Sequence, residues 1–357
     1  MRTPSHLKFV VIETTRRCNL RCIHCAVSEE NNDGTYAYED LPFESFERIL
    51  PTLREHKPEV QLSGHGESLL HPRFEEMLEA TLLAGCNVRV QTNGTTLTAR
   101  VIDLLVRHGA ELVVCSLDGA TAETFEGIRR RAKLAKVLGN LEALVEAKRA
   151  AGVDRPNLAI EFVAMHRNIE ELPEVLEIAG RLGASEFAIT ELREYPLTQG
   201  QTLAGDPSMA DWAKIAREAA ERHGYLLHLP PIAGHEVVGV EQLTIDRSAP
   251  ESYRGLRKTC REPWERAFVQ YDGEVWPCCY IPEPFGNLQR KPFDEIWRNA
   301  RYQALRTALA SDRPPEICVR CPEYGWEPIG EDDAGQWLER PERALEVASE
   351  TPDDPRV

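Results

Sequence analysis

No apolar run in this 357-residue chain approaches the roughly 20 residues a membrane-spanning helix needs, and the polar start Met1 to Lys8 lacks the apolar stretch of a secretory signal. Basic charge is the minority. The chain carries 42 Lys and Arg against 58 Asp and Glu, a formal −16, so a phosphate-rich partner would be repelled unless a local basic patch compensates. These absences set aside membrane and nucleic-acid partners and lead us to expect a cytoplasmic location. Folding is not in doubt, because 42% hydrophobic residues over this length can fill one large core or two smaller ones.

Cysteine is what the chain has in excess. A reducing compartment disfavours disulfides, which leaves metal binding or catalysis as the usual reason for ten cysteines. Cys18, Cys22 and Cys25 form a tight group near the start; Cys260, Cys278, Cys279, Cys318 and Cys321 form a spread group near the end; Cys86 and Cys115 stand alone and read as small buried hydrophobes. Two metal sites are the natural expectation.

From Lys8 to about Leu192 short β-branched runs alternate with amphipathic segments of helical period. The runs Phe9–Ile12, Val60–Leu62, Val88–Val90, Leu112–Val114, Leu158–Ile160 and Phe187–Ile189 predict six parallel strands. Helices are expected around Phe43–Glu55, Arg73–Ala84, Ala99–His108, Leu134–Ala151 and Ile169–Leu182. The fold class is α/β, a partial (βα)6 TIM-like barrel with its active-site loops at the strand C-termini. The alternation stops near Leu192, with one further helix at about Met209–His223. Period-two spacing around Asp272-Gly273 predicts a hairpin over Ala267–Trp276, followed by a helix over Phe293–Leu309. The expected division is 1–192 for the barrel, 193–259 for a connecting region, 260–326 for a hairpin-plus-helix module, and 327–357 for an acidic tail with a helical patch near Gln336–Val347.

Three thiolates within eight residues leave one iron of a [4Fe–4S] cubane without a protein ligand. Spacing alone also allows half of a zinc site. The Cys18-x3-Cys22-x2-Cys25 spacing, in a loop directly after the first strand, resembles the radical SAM (S-adenosylmethionine) superfamily. Further motifs follow in order. Ser63-Gly64-His65-Gly66-Glu67-Ser68 is similar to that family's Gly-Gly-Glu-Pro stretch, with His65 in place of Gly and Ser68 in place of Pro. Strand ends Thr92-Asn93-Gly94 and Ser116-Leu117-Asp118-Gly119, together with Arg129 and His24, match positions that contact SAM in relatives. The resemblance implies a SAM-binding cluster on the three cysteines and cofactor contacts from His24, Gly64, His65, Gly66, Glu67, Asn93, Ser116, Asp118 and Arg129. It also implies SAM cleavage to a 5′-deoxyadenosyl radical that abstracts a substrate hydrogen, with a flavodoxin or ferredoxin as reductant.

Cys260, Cys278, Cys318 and Cys321 suffice for one further cluster. Their arrangement around the hairpin resembles the shortened "twitch" form of the SPASM module, which implies a second, auxiliary [4Fe–4S] cluster; a four-cysteine zinc ribbon is the alternative. Cys279 is spare: a packed thiol, or a hydrogen-atom donor to a substrate radical. The resemblance implies redox modification, by dehydrogenation or epimerisation, of a small-molecule polyol, sugar or aminocyclitol. The alternatives are radical modification of a ribosomal peptide and a non-enzymatic iron–sulfur or zinc protein. Only seventeen residues precede Cys18, which lowers the expectation of a leader-peptide-binding domain there.

Overall fold

The computed structural model describes residues 6–32, 34, 36–230, 255–321 and 323–329. The six expected strands form, several of them longer than the apolar runs alone: β1 (Phe9–Ile12), β2 (Glu59–Leu62), β3 (Asn87–Thr92), β4 (Leu112–Ser116), β5 (Asn157–Ala164) and β6 (Glu186–Glu191). They pair in parallel and in chain order. A seventh parallel strand, β7 (Leu226–His228), follows the helix Met209–His223 and pairs with Glu186–Ala188 of β6. Its three residues, with Leu226 exposed, carry too little pattern to announce it.

The hairpin forms as β8 (Arg266–Val269) and β9 (Glu274–Trp276), and Gly273 takes the left-handed φ of 81° that its turn requires. A two-residue strand β10 (Gly286–Asn287) pairs with β9. β8 then adds in parallel to the free edge of β1, from Phe9 against Arg266 to Ile12 against Val269. Among the described residues one ten-stranded sheet results, in the order β10-β9-β8-β1-β2-β3-β4-β5-β6-β7. The hairpin is thus continuous with the barrel sheet, and it covers the strand that leads into the first cysteine group.

Three helical expectations break where local chemistry demands it. The first divides into Phe43–Glu47 and Leu50–His56, because Pro51 has no N–H and is accepted only in a first helical turn. Pro173 does the same for the fifth, which becomes a 3-10 turn at Ile169–Glu171 and a helix at Leu172–Arg181. The last divides into Phe293–Trp297 and Ala300–Leu309, with Asn299 capping the second by accepting from the Tyr302 N–H at 3.0 Å.

Alternate residues of each strand pack outward. Val10, Ile12, Val60, Leu62, Val88 and Val90 share one core with Phe46, Phe74 and, from the C-terminal module, Trp297 and Tyr302; Ile160, Phe162, Phe187 and Ile189 fill a second beneath Leu141, Leu176 and Ala216. A strand at Trp326–Pro328 pairs with Leu256–Lys258, two residues into the stretch read as tail. The patch expected at Gln336–Val347 lies outside the described residues. Among the described residues no helix is long and apolar enough to cross a membrane.

Candidate functional site

The first cysteine group begins where β1 ends. Glu13 donates its backbone N–H to the Val269 carbonyl oxygen at 2.8 Å, and its carboxylate accepts the His65 N–H at 2.8 Å, with His65 Nδ1 at 3.1 Å. Burial pushes the Glu13 carboxyl up, but the His65 bonds and the Arg16 charge outweigh it, so it ionises below its usual range. Gly64 and Gly66 are required by crowding. A Cβ at Gly64 would lie 2.4 Å from Glu13 Cγ, and one at Gly66 would lie 2.3 Å from the Thr15 carbonyl oxygen. The loop after β2 is therefore pressed backbone to backbone against the cysteine loop.

Glu67 completes that clamp. Its N–H donates to the Arg17 carbonyl oxygen at 2.8 Å, while its carboxylate accepts from the Thr92 hydroxyl at 2.6 Å and the Asn93 N–H at 2.7 Å. Burial raises this carboxyl to about 7. Both of its oxygens are thus engaged at the end of β3, and its work is to tie three loops together. Asn93 Nδ2 donates to Asn19 at 3.0 Å and lies 3.9 Å from Cys18 Sγ.

The cysteine loop is shaped by its own polar side chains. Ser28 Oγ donates to the Cys22 carbonyl oxygen at 2.6 Å, and Asn31 Nδ2 donates to those of Ile23 and Cys25 at 2.7 and 3.1 Å. A short antiparallel ladder sets Cys22 against Arg129 and Arg21 against Arg130. On the far side Asp118, fully buried at the end of β4, lies 2.7 Å from Arg129 Nε and 3.6 Å from His24 Nε2. Burial alone would lower Arg129, yet the Asp118 charge holds it above its usual range. Burial takes His24 down to about 4, leaving it neutral at pH 7. Arg129 Nε and Asp118 Oδ2 are close but not aligned as a hydrogen bond, and with His24 Nδ1 they form three buried polar atoms without a hydrogen-bond partner among the described residues. Such a cluster suits a polar ligand.

The structure therefore gathers Cys18, Cys22, Cys25, His24, Gly66, Glu67, Asn93, Asp118 and Arg129 around one loop. Gly64 and the half-exposed His65 sit against Glu13. Ser116 ends β4 opposite Glu161 of β5. Burial pushes the Cys18 thiol to about 11, Cys22 to about 12 and Cys25 upward. Iron binding would displace those protons. Three thiols with polar neighbours fit a cubane with one open iron.

Cys260, Cys278, Cys318 and Cys321 come together as expected, lining with Cys279 a cavity of about 140 Å³. Burial raises Cys260 to about 12 and Cys318 to about 11. Buried Lys258 donates to the carbonyl oxygens of Cys321 at 3.1 Å and Tyr324 at 2.7 Å, holding the Cys-x2-Cys turn in place. Four thiols around one cavity fit a fully cysteine-ligated cubane. Cys279 is the exposed thiol of the ten. Cys86 and Cys115 are buried in the cores, the latter 2.9 Å from where a Gly94 Cβ would sit.

One row of polar side chains was not legible as a unit in the sequence, although Glu161 lies at a strand end where a proton-moving side chain is expected. Gln61 Nε2 donates to Ser63 Oγ at 2.9 Å and Gln91 Oε1 at 3.4 Å, and Gln91 Nε2 donates to Glu161 Oε2 at 2.9 Å. The row crosses β2, β3 and β5 on the sheet face opposite the packed cores. Polar residues alternating with valine and leucine inside strands were the available signal.

Residues 12–179 match the radical SAM superfamily, and residues 260–322 match SPASM, an iron–sulfur cluster-binding domain. The chain is 29% identical to an AdoMet-dependent heme synthase of Methanosarcina barkeri, over 88% of this chain and 87% of that protein. It is 28% identical to a PqqA peptide cyclase of Streptomyces rochei, over 88% of this chain and 81% of that one. The fold resembles that of Streptococcus suis SuiB bound to S-adenosylmethionine, with a TM-score of 0.62 at 15% identity, covering 85% of this chain and 68% of that one. The two matched segments hold the two cysteine groups. The chain belongs to the radical SAM superfamily, with a C-terminal SPASM-type iron–sulfur module, and its cofactors are SAM and two [4Fe–4S] clusters.

Proposed function

We propose that this radical SAM enzyme modifies a peptide, with Cys18, Cys22 and Cys25 holding the SAM-binding cluster and Cys260, Cys278, Cys318 and Cys321 holding the auxiliary one. The carrying observation is the similarity to a peptide cyclase along nearly the whole chain, barrel and C-terminal module together. When bound, the first cluster and SAM supply one-electron cleavage of SAM and removal of a substrate hydrogen atom. The rest falls to this chain's own groups. Asp118, Arg129 and His24 orient the SAM head group, assisted by Asn93 and Ser116, while the Gly64–Glu67 loop presents backbone to it. The Gln61–Gln91–Glu161 row offers amide donors and acceptors matched to a peptide backbone, and burial raises the Glu161 carboxyl above its usual range. Cys279 is the thiol we assign to hydrogen return.

The division at 192, 259 and 326 goes with this reading, with the qualification that β8 and β1 share one sheet. Oxidation of a small polyol draws less support from the relatives than the peptide reading does. The heme synthase similarity favours a second reading, radical modification of a small molecule.

The test is to incubate the reconstituted enzyme, SAM and reductant with synthetic peptides translated from short reading frames beside its gene. A modified peptide seen by mass spectrometry supports the proposal: uptake of one deuterium from D2O with no hydrogen lost marks return through the Cys279 thiol, whereas loss of a hydrogen pair keeps the peptide reading and removes hydrogen return from it. No peptide change, together with porphyrin-stimulated SAM cleavage, sends the function to the second reading. Cys279→Ala should keep SAM cleavage and lose product; undiminished product would remove Cys279 from the account.

A further inference from the structure

A chain of net charge −16 concentrates five basic side chains in the eight residues Arg129–Lys136. The structure puts that run beside the first cysteine group. Arg130 pairs across the short ladder with Arg21, Arg129 pairs with Cys22, and the Ile23 N–H donates to the Ile128 carbonyl oxygen at 3.0 Å. Arg129 is buried and faces Asp118, but Arg131, Lys133 and Lys136 are exposed. Arg130 is tied to Glu30 at 3.0 Å and Lys133 to Glu126 at 2.5 Å, whereas Arg131, Lys136 and the neighbouring Arg167 have no acidic partner among the described residues. Arg167 Nη2 reaches within 3.9 Å of the position a Cβ would take at Gly127, which brings it to the same face.

Stability does not explain the run. Arg131 holds a left-handed φ of 75°, a conformation that glycine or asparagine adopts at lower cost. Lys133 and Lys136 sit at the start of the helix Leu134–Ala151, whose first turn holds no acidic residue; Glu126, which accepts the Leu134 N–H at 3.3 Å and pairs with Lys133, offsets the positive end there and leaves Lys136 opposed to it. Cations kept in two unfavourable settings, on an otherwise acidic protein and one ladder rung from a cluster ligand, point to a charged partner.

We propose that the face formed by Arg131, Lys133, Lys136 and Arg167 docks an acidic one-electron carrier protein of the flavodoxin type. The inference rests on the assignment of Cys18, Cys22 and Cys25 to the first cluster. The transfer balances simply: one electron leaves the reduced carrier and arrives at the cysteine-held site, and no atom or proton is exchanged. Attraction across exposed charges makes the docking salt-dependent, since such fields are screened over about 10 Å at 0.1 M ionic strength.

The test measures calorimetric binding of flavodoxin to the reconstituted enzyme at low and moderate salt, in the wild type, in R131E/K133E/K136E and in the milder R131Q/K133Q/K136Q. In parallel, 5′-deoxyadenosine formation is driven either by flavodoxin or by dithionite. Charge reversal should weaken binding by about tenfold or more, with the neutral variant intermediate and salt weakening the wild type. Flavodoxin-driven cleavage should fall in step, while dithionite-driven cleavage stays at the wild-type rate, showing that the active site is intact. Equal flavodoxin affinity in wild type and both variants, or wild-type binding insensitive to salt, overturns the docking face. Absence of dithionite-driven cleavage in the wild type overturns instead the cluster assignment beneath it.

Discussion

Gly66 leaves no space for even one methyl group, because its Cβ position is within 3 Å of backbone atoms of Thr15, Arg16 and Arg17. A backbone contact cannot be relieved by a rotamer change. Gly66→Ala should displace the cysteine loop at a cost of roughly 1–3 kcal/mol, and iron content and SAM affinity should fall together; unchanged values for both would show that the loop tolerates separation. Glu67 carries a pH signature. Its carboxyl is raised by burial from 4.5 to about 7 in the folded chain, so between those values the folded state holds a proton that the unfolded state has lost. Stability from this group is therefore full below about pH 4.5 and declines as pH rises through 7, by about 3 kcal/mol in total. Glu67→Gln does not titrate, and it can accept the Asn93 N–H on its amide oxygen while its NH2 donates to the Thr92 hydroxyl oxygen, so its urea midpoint should lose that downward slope. An identical slope in the variant would mean that other groups produce it.

The cysteine loop is an element without regular structure, and its shape depends on side chains bonded to its own backbone. Asn31 is the central one: besides its two bonds to the loop, its Oδ1 accepts the Leu197 N–H at 3.1 Å. Asn31→Ala leaves buried carbonyl groups short of donors, at about 1–3 kcal/mol, and should lower iron bound at the first site while leaving the second loaded. Mössbauer or chelation assays resolve the two, and parallel loss from both sites would contradict a local role. Loops of this kind also mark the limit of what the sequence reveals. The cysteine spacing and the strand-end motifs were legible because both lie close together in the chain or at regular strand ends. The clamp of Glu13 on His65, the Cys22–Arg129 ladder and the Gln61–Gln91–Glu161 row were not, since each joins residues 30 to 107 positions apart that only the folded sheet brings together. Proline and asparagine at positions 51, 173 and 299 did carry local signals of helix breaks. The broader helical period concealed them.

At the scale of the whole molecule, β8 seals the edge of β1, and Phe293, Trp297 and Tyr302 share the core that holds Val10 and Phe46. A chain ending at Thr259 would expose the edge of the strand that leads to the first cysteine group. It should aggregate or melt well below the full chain, and a monomer of equal melting temperature would argue for independent units. Sequence pattern predicted the hairpin but not this pairing, because nothing local specifies which edge a hairpin joins. Arg16 reinforces the link, its guanidinium lying 5.1 Å from the Tyr36 ring and 4.5 Å from that of Tyr271 at the hairpin tip. The most direct measurement of the central claim compares wild type with C18A/C22A/C25A after anaerobic reconstitution, reading iron and 5′-deoxyadenosine together. The account predicts about eight irons and SAM cleavage in the wild type, against about four irons and no 5′-deoxyadenosine in the variant. Equal iron in both proteins, or 5′-deoxyadenosine from the variant, would contradict it.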